Sequence, residues 1–396
     1  MEFVIRIPQD GGRRFRARSQ ENSLQEERLF WLAWSQIPGI GSVLLGRLQY
    51  KFGNLQTAWT ASPNELATVE GIGPQVLEAI CSQRLHTQLQ DLWRQHQQKN
   101  PTFWTPADLA YPRLLLEIPS FPTILYYRGQ VEPLESQSNP PTVAIVGTRA
   151  PSDYGKKWTR ILTEALVRHG FTIVSGLAEG IDTEAHWSCL EAGGRTIAVL
   201  GTGVDVVYPW QNRKLYQQVI QHGLAVSEYS AGTKPDRLHF PQRNRIIAGL
   251  SRAVIVIEAP YKSGALITAH LANDYGRDVY ALPGSLDNPQ SVGCLGLLNK
   301  GAHVILGVDS LLELLGSLPN LDPIPLPQST QLSLPDLDPD LQQVLKHVSA
   351  EPILLDAIVQ RSGIPAPIVS STLLQLELDG WVTQLPGMRY VRGSGG

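Results

Sequence analysis

The sequence predicts an α/β protein: a mostly parallel, doubly wound sheet, with a helical region before it and a small mixed domain after it. Three observations carry this. From about residue 140 to 316, short apolar runs alternate with amphipathic stretches of helix length. That β-α-β rhythm suits a parallel sheet covered by helices on both faces. From about 25 to 105, apolar residues recur three and four apart, as in Leu29, Leu32, Ala33 and Ile37, the period of helices. A run of prolines, Pro319, Pro323, Pro325, Pro327, Pro335 and Pro339, then reads as an extended linker to a separate unit.

The bulk numbers fit this plan. A chain of 396 residues suggests two or three domains, and 42% apolar residues suffice for packed cores. Only 17% of residues are charged and the net charge is −3, so a nucleic-acid partner must be held by a local basic cleft. Cys81, Cys189 and Cys294 are far apart and read as reduced, buried thiols rather than a zinc site or a disulfide framework. No apolar run approaches the roughly 18 residues of a membrane span, and the reading is cytoplasmic. The first stretch carries Arg6, Arg13, Arg14, Arg16 and Arg18 without an apolar signal core. Residues 1–24 are expected to be a disordered tail.

The helical region, 25–105, holds two similar turns, Ile37-Pro38-Gly39-Ile40-Gly41 and Glu70-Gly71-Ile72-Gly73-Pro74. Paired glycines before a helix let backbone N–H groups point outward together, as in a helix-hairpin-helix phosphate site. Arg47 and Lys51 lie near the first turn.

The sheet domain, 106–316, offers seven strands: Val143–Val146, Thr172–Val174, Thr196–Leu200, Ala225–Ser227, Ala253–Ile257, Val279–Leu282 and His303–Leu306. The first delivers Gly147-Thr148-Arg149 to a helix, the usual phosphate cradle of a doubly wound fold. No G-x-G-x-x-G fingerprint is present, since Val206 stands where Gly201-Thr202-Gly203 would need its third glycine. Arg149 occupies the cradle instead and can pair with a phosphate. The second strand ends in Ser175-Gly176, before Asp182, Glu184 and His186. Those three spread around a helix rather than gather as metal ligands, and Asp182 reads as a cap or turn acceptor.

Local charge is concentrated further on. From Lys234 to Lys262 the cations are Lys234, Arg237, Arg243, Arg245, Arg252 and Lys262, against Asp236 and Glu258. Six minus two leaves +4. Phe240, before Arg243-Asn244-Arg245, adds a ring on which a base can stack. Lys262-Ser263-Gly264 is another glycine turn into a helix. Ligands of open parallel sheets sit beyond the carboxyl ends of the strands, where Arg149, Ser175, Gly203, Arg243, Arg245, Lys262 and Ser263 should converge. No catalytic residue, metal site or cofactor is assigned.

After a linker at 317–336, residues 337–396 show helical patterns near Pro339–Ser349, Leu354–Ser362 and Pro367–Asp379. A strand-like Trp381–Gln384, a turn at Pro386-Gly387 and Arg389–Val391 follow. Three helices and a hairpin make a winged-helix pattern, whose sparse cations favour a protein-contact or weak DNA role.

The segments Ile145–Gly155 (IVGTRAPSDYG), Ile173–His186 (IVSGLAEGIDTEAH), Gly201–Asn212 (GTGVDVVYPWQN), Ser227–Pro235 (SEYSAGTKP), Phe240–Ser251 (FPQRNRIIAGLS), Glu258–Ala269 (EAPYKSGALITA) and Ala281–Ser285 (ALPGS) together resemble the core of the DNA processing protein A (DprA/Smf) family. The resemblance spans about 140–310 and implies an extended Rossmann-like core that binds single-stranded DNA in a basic pocket. It also implies a homodimer that loads the RecA recombinase during natural transformation, without hydrolytic or redox chemistry. The DNA-binding set is then Gly147, Thr148, Arg149, Ser175, Gly176, Arg237, Phe240, Arg243, Asn244, Arg245, Lys262, Ser263 and Gly264. Glu179 stands where many members have arginine, which lowers the positive potential of the rim. Ala265 and Leu295 also depart from the family pattern.

Two other readings stay open on the residues. The glycine turns would suit a nucleotide-binding or nucleotide-hydrolysing enzyme, with Glu258 or Asp182 as general base. A protein-contact adaptor with a vestigial nucleic-acid surface is the other, and Glu179 leans that way. Leu311, Leu312, Leu314 and Leu315 are a candidate dimer face or a buried helix.

Overall fold

All seven apolar runs of the sheet domain form strands. A computed structural model of the chain describes residues 24–100, 102–137, 139–316, 339–348, 353–378, 381–385 and 388–392. The expected linker lies outside the described residues, as does the expected tail apart from Leu24. The chain divides into two units, Met1–Asp322 and Pro323–Gly396.

Among the described residues the first unit begins with six helices: α1 (residues 24–35), α2 (Ser42–Phe52), α3 (Leu55–Thr60), α4 (Pro63–Ala67), α5 (Pro74–His86) and α6 (Leu89–Lys99). Trp31, Trp34, Ile37, Leu45, Leu48, Leu55, Leu66 and Ile80 form their common core. Ser62 caps α4 in a reciprocal capping box with Glu65, which satisfies two otherwise orphaned N–H groups.

The two glycine turns feed α2 and α5. Gly39 has φ +85° and Gly71 φ +93°, conformations that cost a side chain. The turns also interlock. A Cβ on Gly39 would meet Val76 of α5 at 3.3 Å, and one on Gly71 would meet Leu44 and Arg47 of α2 at 2.9 Å. Arg47 Nη1 donates to the Glu70 carbonyl at 2.7 Å and Lys51 donates to Thr68. The cations that sequence reasoning placed beside the first turn therefore tie the region together.

Nine strands follow: β1 (Phe103–Trp104), β2 (Leu125–Gly129), β3 (Thr142–Val146), β4 (Thr172–Ser175), β5 (Thr196–Val199), β6 (Leu224–Ser227), β7 (Ala253–Val256), β8 (Asp278–Ala281) and β9 (His303–Val304). Their order in the sheet is β1-β2-β6-β5-β4-β3-β7-β8-β9. From β6 to β9 the ladders are parallel, while β2 runs antiparallel to β6, and β1 to β2. The chain winds from β3 out to β6, then returns to lay β7 on the other side of β3, which makes β3/β7 the topological switch point.

The helices between are α7 (Arg113–Leu116), α8 (Asp153–Arg168), α9 (Ile181–Glu191), α10 (Arg213–His222), α11 (His239–Leu250), α12 (Gly264–Asp274), α13 (Val292–Leu298) and α14 (Val308–Gly316). Alternate strand residues face opposite layers. Ala144, Val146, Val254 and Val256 pack with Ile246 and Ile247 of α11 and Ala269 and Ala272 of α12. Val143, Ile145, Ala253 and Ile255 pack with Leu162 and Leu166 of α8 and Leu311 and Leu315 of α14. The leucines of α14 therefore belong to the core, with Leu312 and Leu314 partly buried against it. Cys189 and Cys294 are buried as well, and Cys81 is half-buried.

The second unit carries α15 (Pro339–Leu345), β10 (Ile353–Leu354), α16 (Leu355–Ser362), α17 (Ala366–Leu378), β11 (Val382–Leu385) and β12 (Arg389–Arg392). Its sheet has the order β10-β12-β11. Leu345, Ile358, Leu373 and Leu376 fill its core. This is the expected winged helix, with β10 as a strand that the sequence reading did not include.

Candidate nucleic-acid interface

Four strand ends and one helix build the cleft. After β3, Thr148 is clasped on three sides. Its N–H donates to the Glu258 carbonyl at 2.7 Å, its carbonyl accepts from Ile181 N at 3.1 Å, and its hydroxyl accepts from Ala150 N at 3.2 Å. Thr148 is therefore buried and Arg149 is turned outward, exposed. Gly147 is required here, since a Cβ would lie 2.5 Å from Ile181.

The Glu258 carboxylate holds the same loop from behind. It accepts from Ser152 N at 2.8 Å, from the Ser152 hydroxyl, and from Asn288 Nδ2 at 3.3 Å. Glu258 is 1% exposed, so this carboxylate is committed to the scaffold.

After β4, Asp182 accepts from Gly176 N at 3.1 Å and Ala178 N at 3.4 Å, the turn-acceptor role expected of it. Ser175 departs from expectation. It is fully buried and its hydroxyl donates to the Ile145 carbonyl at 2.6 Å, because the last residue of a central strand still faces the layer below. His186 is also enclosed. The Thr196 hydroxyl donates to the Ile173 carbonyl, so His186 Nδ1 donates to Thr196, at 2.7 Å. Burial, then the nearby Arg243 charge, pushes its pKa down to about 3.

Helix α11 lies across these ends. Phe240 and Arg243 are three residues apart and share a face. The Phe240 ring rests on Gly201 after β5, where a Cβ would approach it to 3.0 Å. Arg243 is 4% exposed. Its Nη1 donates to the Val199 carbonyl at 2.7 Å, while its Nε has no partner. Burial lowers its pKa to about 10, opposed by Asp182, so the guanidinium remains a cation at neutral pH.

Arg149, Gly176, Ala178, Glu179, Tyr208, Pro209, Phe240 and Arg243 line one slot. The Arg149 guanidinium sits 5.8 Å from the Phe240 centroid and the Tyr208 ring 5.4 Å from Phe240. The pattern recurs nearby: Arg213 lies 4.9 Å over Trp210, and Lys262 lies 5.6 Å from the Tyr261 ring centre. Trp210 is 66% and Tyr261 75% exposed.

The other expected residues lie around this slot with different fates. Arg237 is exposed just before α11. Asn244 Nδ2 donates to the Gly264 carbonyl at 3.1 Å, which joins α11 to the Lys262-Ser263-Gly264 turn. There Lys262 is exposed with φ +64° and Ser263 caps α12. Arg245 is part-buried and already paired. Its guanidinium pairs with Glu228, both side chains 19% exposed. Arg252, at the start of β7, is buried in the field of Arg277 and Glu117. The basic run is thus divided among the cleft, an internal ion pair and the opposite end of the sheet. Tyr208, which lines the slot, was missed, although the Tyr-Pro-Trp after Gly203 was a usable signal.

The fold and cleft define a doubly wound α/β protein with a cationic, aromatic slot beyond its strand ends and a winged helix after it. The chain belongs to the DNA recombination-mediator protein A family, whose model matches residues 102–316; the DprA winged helix domain matches residues 328–388. It is 51% identical over 393 residues to Protein Smf of Synechocystis sp., covering 92% of this chain and 99% of that one. It is 46% identical to DNA processing protein DprA of Streptococcus pneumoniae, over 54% of this chain and 75% of that protein. The X-ray structure of DNA processing protein A from Streptococcus pneumoniae superposes with a TM-score of 0.62 at 36% identity, over 72% of this chain and 95% of that one.

Proposed function

We propose that this chain binds single-stranded DNA in the slot between Arg149, Phe240 and Arg243. In that role it shields incoming strands and loads the RecA recombinase during natural transformation, as a cytoplasmic homodimer. The carrying observation is Arg243: a cation 4% exposed, with an unpartnered Nε, in the wall of a slot faced with aromatic rings. A buried guanidinium has lost its water and gains most from an anion. Tyr208, Phe240, Trp210 and Tyr261 offer stacking faces that suit any base. The family's role as a recombination mediator supports the recombinase step.

In this reading Gly147, Thr148 and Gly176 shape the slot, Arg149, Arg237, Lys262 and Arg243 meet phosphates, and Phe240 stacks. Asn244, Ser263 and Gly264 hold the neighbouring turn. We assign no catalytic step. Asp182 and Glu258, the carboxylates a nucleotide hydrolase would draw on, already accept hydrogen bonds from the loops they brace. We take residues 25–105, 106–316 and 337–396 as the three folded regions.

The test is fluorescence anisotropy of a labelled oligothymidine with wild type and Arg149→Ala/Arg243→Ala at two salt concentrations. Affinity should fall with salt at a slope of roughly −0.7 per neutralised phosphate, and the double variant should lose more than about 2 kcal/mol. A double variant that binds as well as wild type would assign the slot to another ligand.

A further inference from the structure

Among the described residues Glu179 is the one anion that lines the slot. It is exposed, and among the described residues it has no ion pair and no hydrogen bond, even though Arg149 lines the same slot. The loop that carries it cannot retreat. Gly180 has φ +82°, and a Cβ there would come within 2.3 Å of the Thr148 carbonyl and 2.7 Å of Arg149 Cα. Ile181 N donates to the same carbonyl at 3.1 Å. The backbone thus fixes the position from which the Glu179 side chain extends, on a slot whose other charges are guanidinium groups.

A carboxylate there repels phosphate, so on charge alone it opposes a nucleic acid. It accepts hydrogen bonds and donates none. Opposite a base edge it therefore discriminates. Guanine presents two adjacent donors, N1–H and N2–H2, which match both oxygens of one carboxylate. Thymine presents a single N3–H between two carbonyl oxygens, which repel it. Cytosine and adenine pair one donor with a bare ring nitrogen.

We propose that Glu179 makes the slot prefer guanine, reading the Watson–Crick edge of a base that rests against Tyr208 and Phe240. This rests on the single-strand reading above. It makes the cleft selective at one base while the neighbouring stacking faces stay indifferent to sequence.

The test compares two labelled thymine oligomers of equal length, one carrying a single central guanine, by anisotropy with wild type and Glu179→Ala. Bidentate base contacts discriminate by a factor of several to a hundred, and an exposed one belongs near the lower end. Wild type should bind the guanine oligomer roughly five- to tenfold tighter. Glu179→Ala should bind both alike, and pure thymine more tightly than wild type does. Equal binding of the two by wild type, or an unchanged ratio in the variant, would overturn the preference and leave the single-strand reading in place. Binding of neither oligomer, even at low salt, would overturn both.

Discussion

Gly176 and Arg243 share one volume: a Cβ on residue 176 would lie 1.8 Å from Arg243 Nη1. The guanidinium packs directly on the glycine backbone while it donates to Val199, so the position of the buried cation is set from a different strand end.

Gly176→Ala should therefore act on Arg243 rather than on the backbone. Overpacking at a buried position costs about 1–3 kcal/mol, and the displaced guanidinium should weaken oligothymidine binding at least tenfold. Urea unfolding and anisotropy on the same preparation check this. Gly46→Ala, in the interior of α2 where a Cβ meets nothing within 4 Å, should leave binding unchanged and raise stability by up to about 1 kcal/mol.

Arg245 and Arg149 should separate cleanly. Arg245→Ala leaves Glu228 without its partner in a largely buried pair; with partial solvent screening the stability loss should be about 2 kcal/mol. DNA affinity of the folded protein should barely move. Arg149→Ala should show the reverse pattern. Paired denaturation and binding curves decide it, and equal binding losses in both variants would return Arg245 to the interface.

Trp210 follows directly on Tyr208 and Pro209, which line the slot, so it should act as an outer stacking face. Stacking contributes about 1–3 kcal/mol per base. Trp210→Ala should weaken long oligothymidines by that amount and very short ones hardly at all. A length series reads the difference.

His186 gives a pH signature. Its folded pKa, about 3, lies below the unfolded value of 6.5, so the folded state resists its protonation. That stability is fully present above pH 6.5 and is lost as pH falls toward 3. Between pH 7 and 4 the loss should be about 3 kcal/mol. Urea midpoints at the two pH values should fall more for wild type than for His186→Gln. Arg243 and Asp182, the charges nearby, are common to both.

Much of the fold was legible because its parallel strands are short apolar runs with glycine turns at their ends. The strands not read from the sequence are β1, β2 and β10. Of these β1 and β10 have two residues each, too few to show a period, and β2 joins the sheet antiparallel, outside the β-α-β rhythm. Of the cations grouped on sequence, Arg149, Arg237 and Lys262 are exposed, and Arg149 lines the slot. The pairing of Arg245 was not legible, because its neutralising partner Glu228 lies 17 positions earlier, outside the run whose charge was counted. Ser175 was misplaced because a glycine turn marks where a strand ends and not which way its last side chain points.

The interlocked turns of the N-terminal helices constrain how that region can change over generations. Each glycine is pressed by a side chain from the other turn's helix: Gly39 by Val76, Gly71 by Leu44 and Arg47. Both glycines hold φ near +90°, where any side chain is strained, so the change must fall on Leu44, Arg47 and Val76, each of which has to stay compatible with the opposite turn. A graft or truncation between residues 53 and 63 would divide one heritable unit, and a chimera that keeps its fold must carry both turns from the same parent.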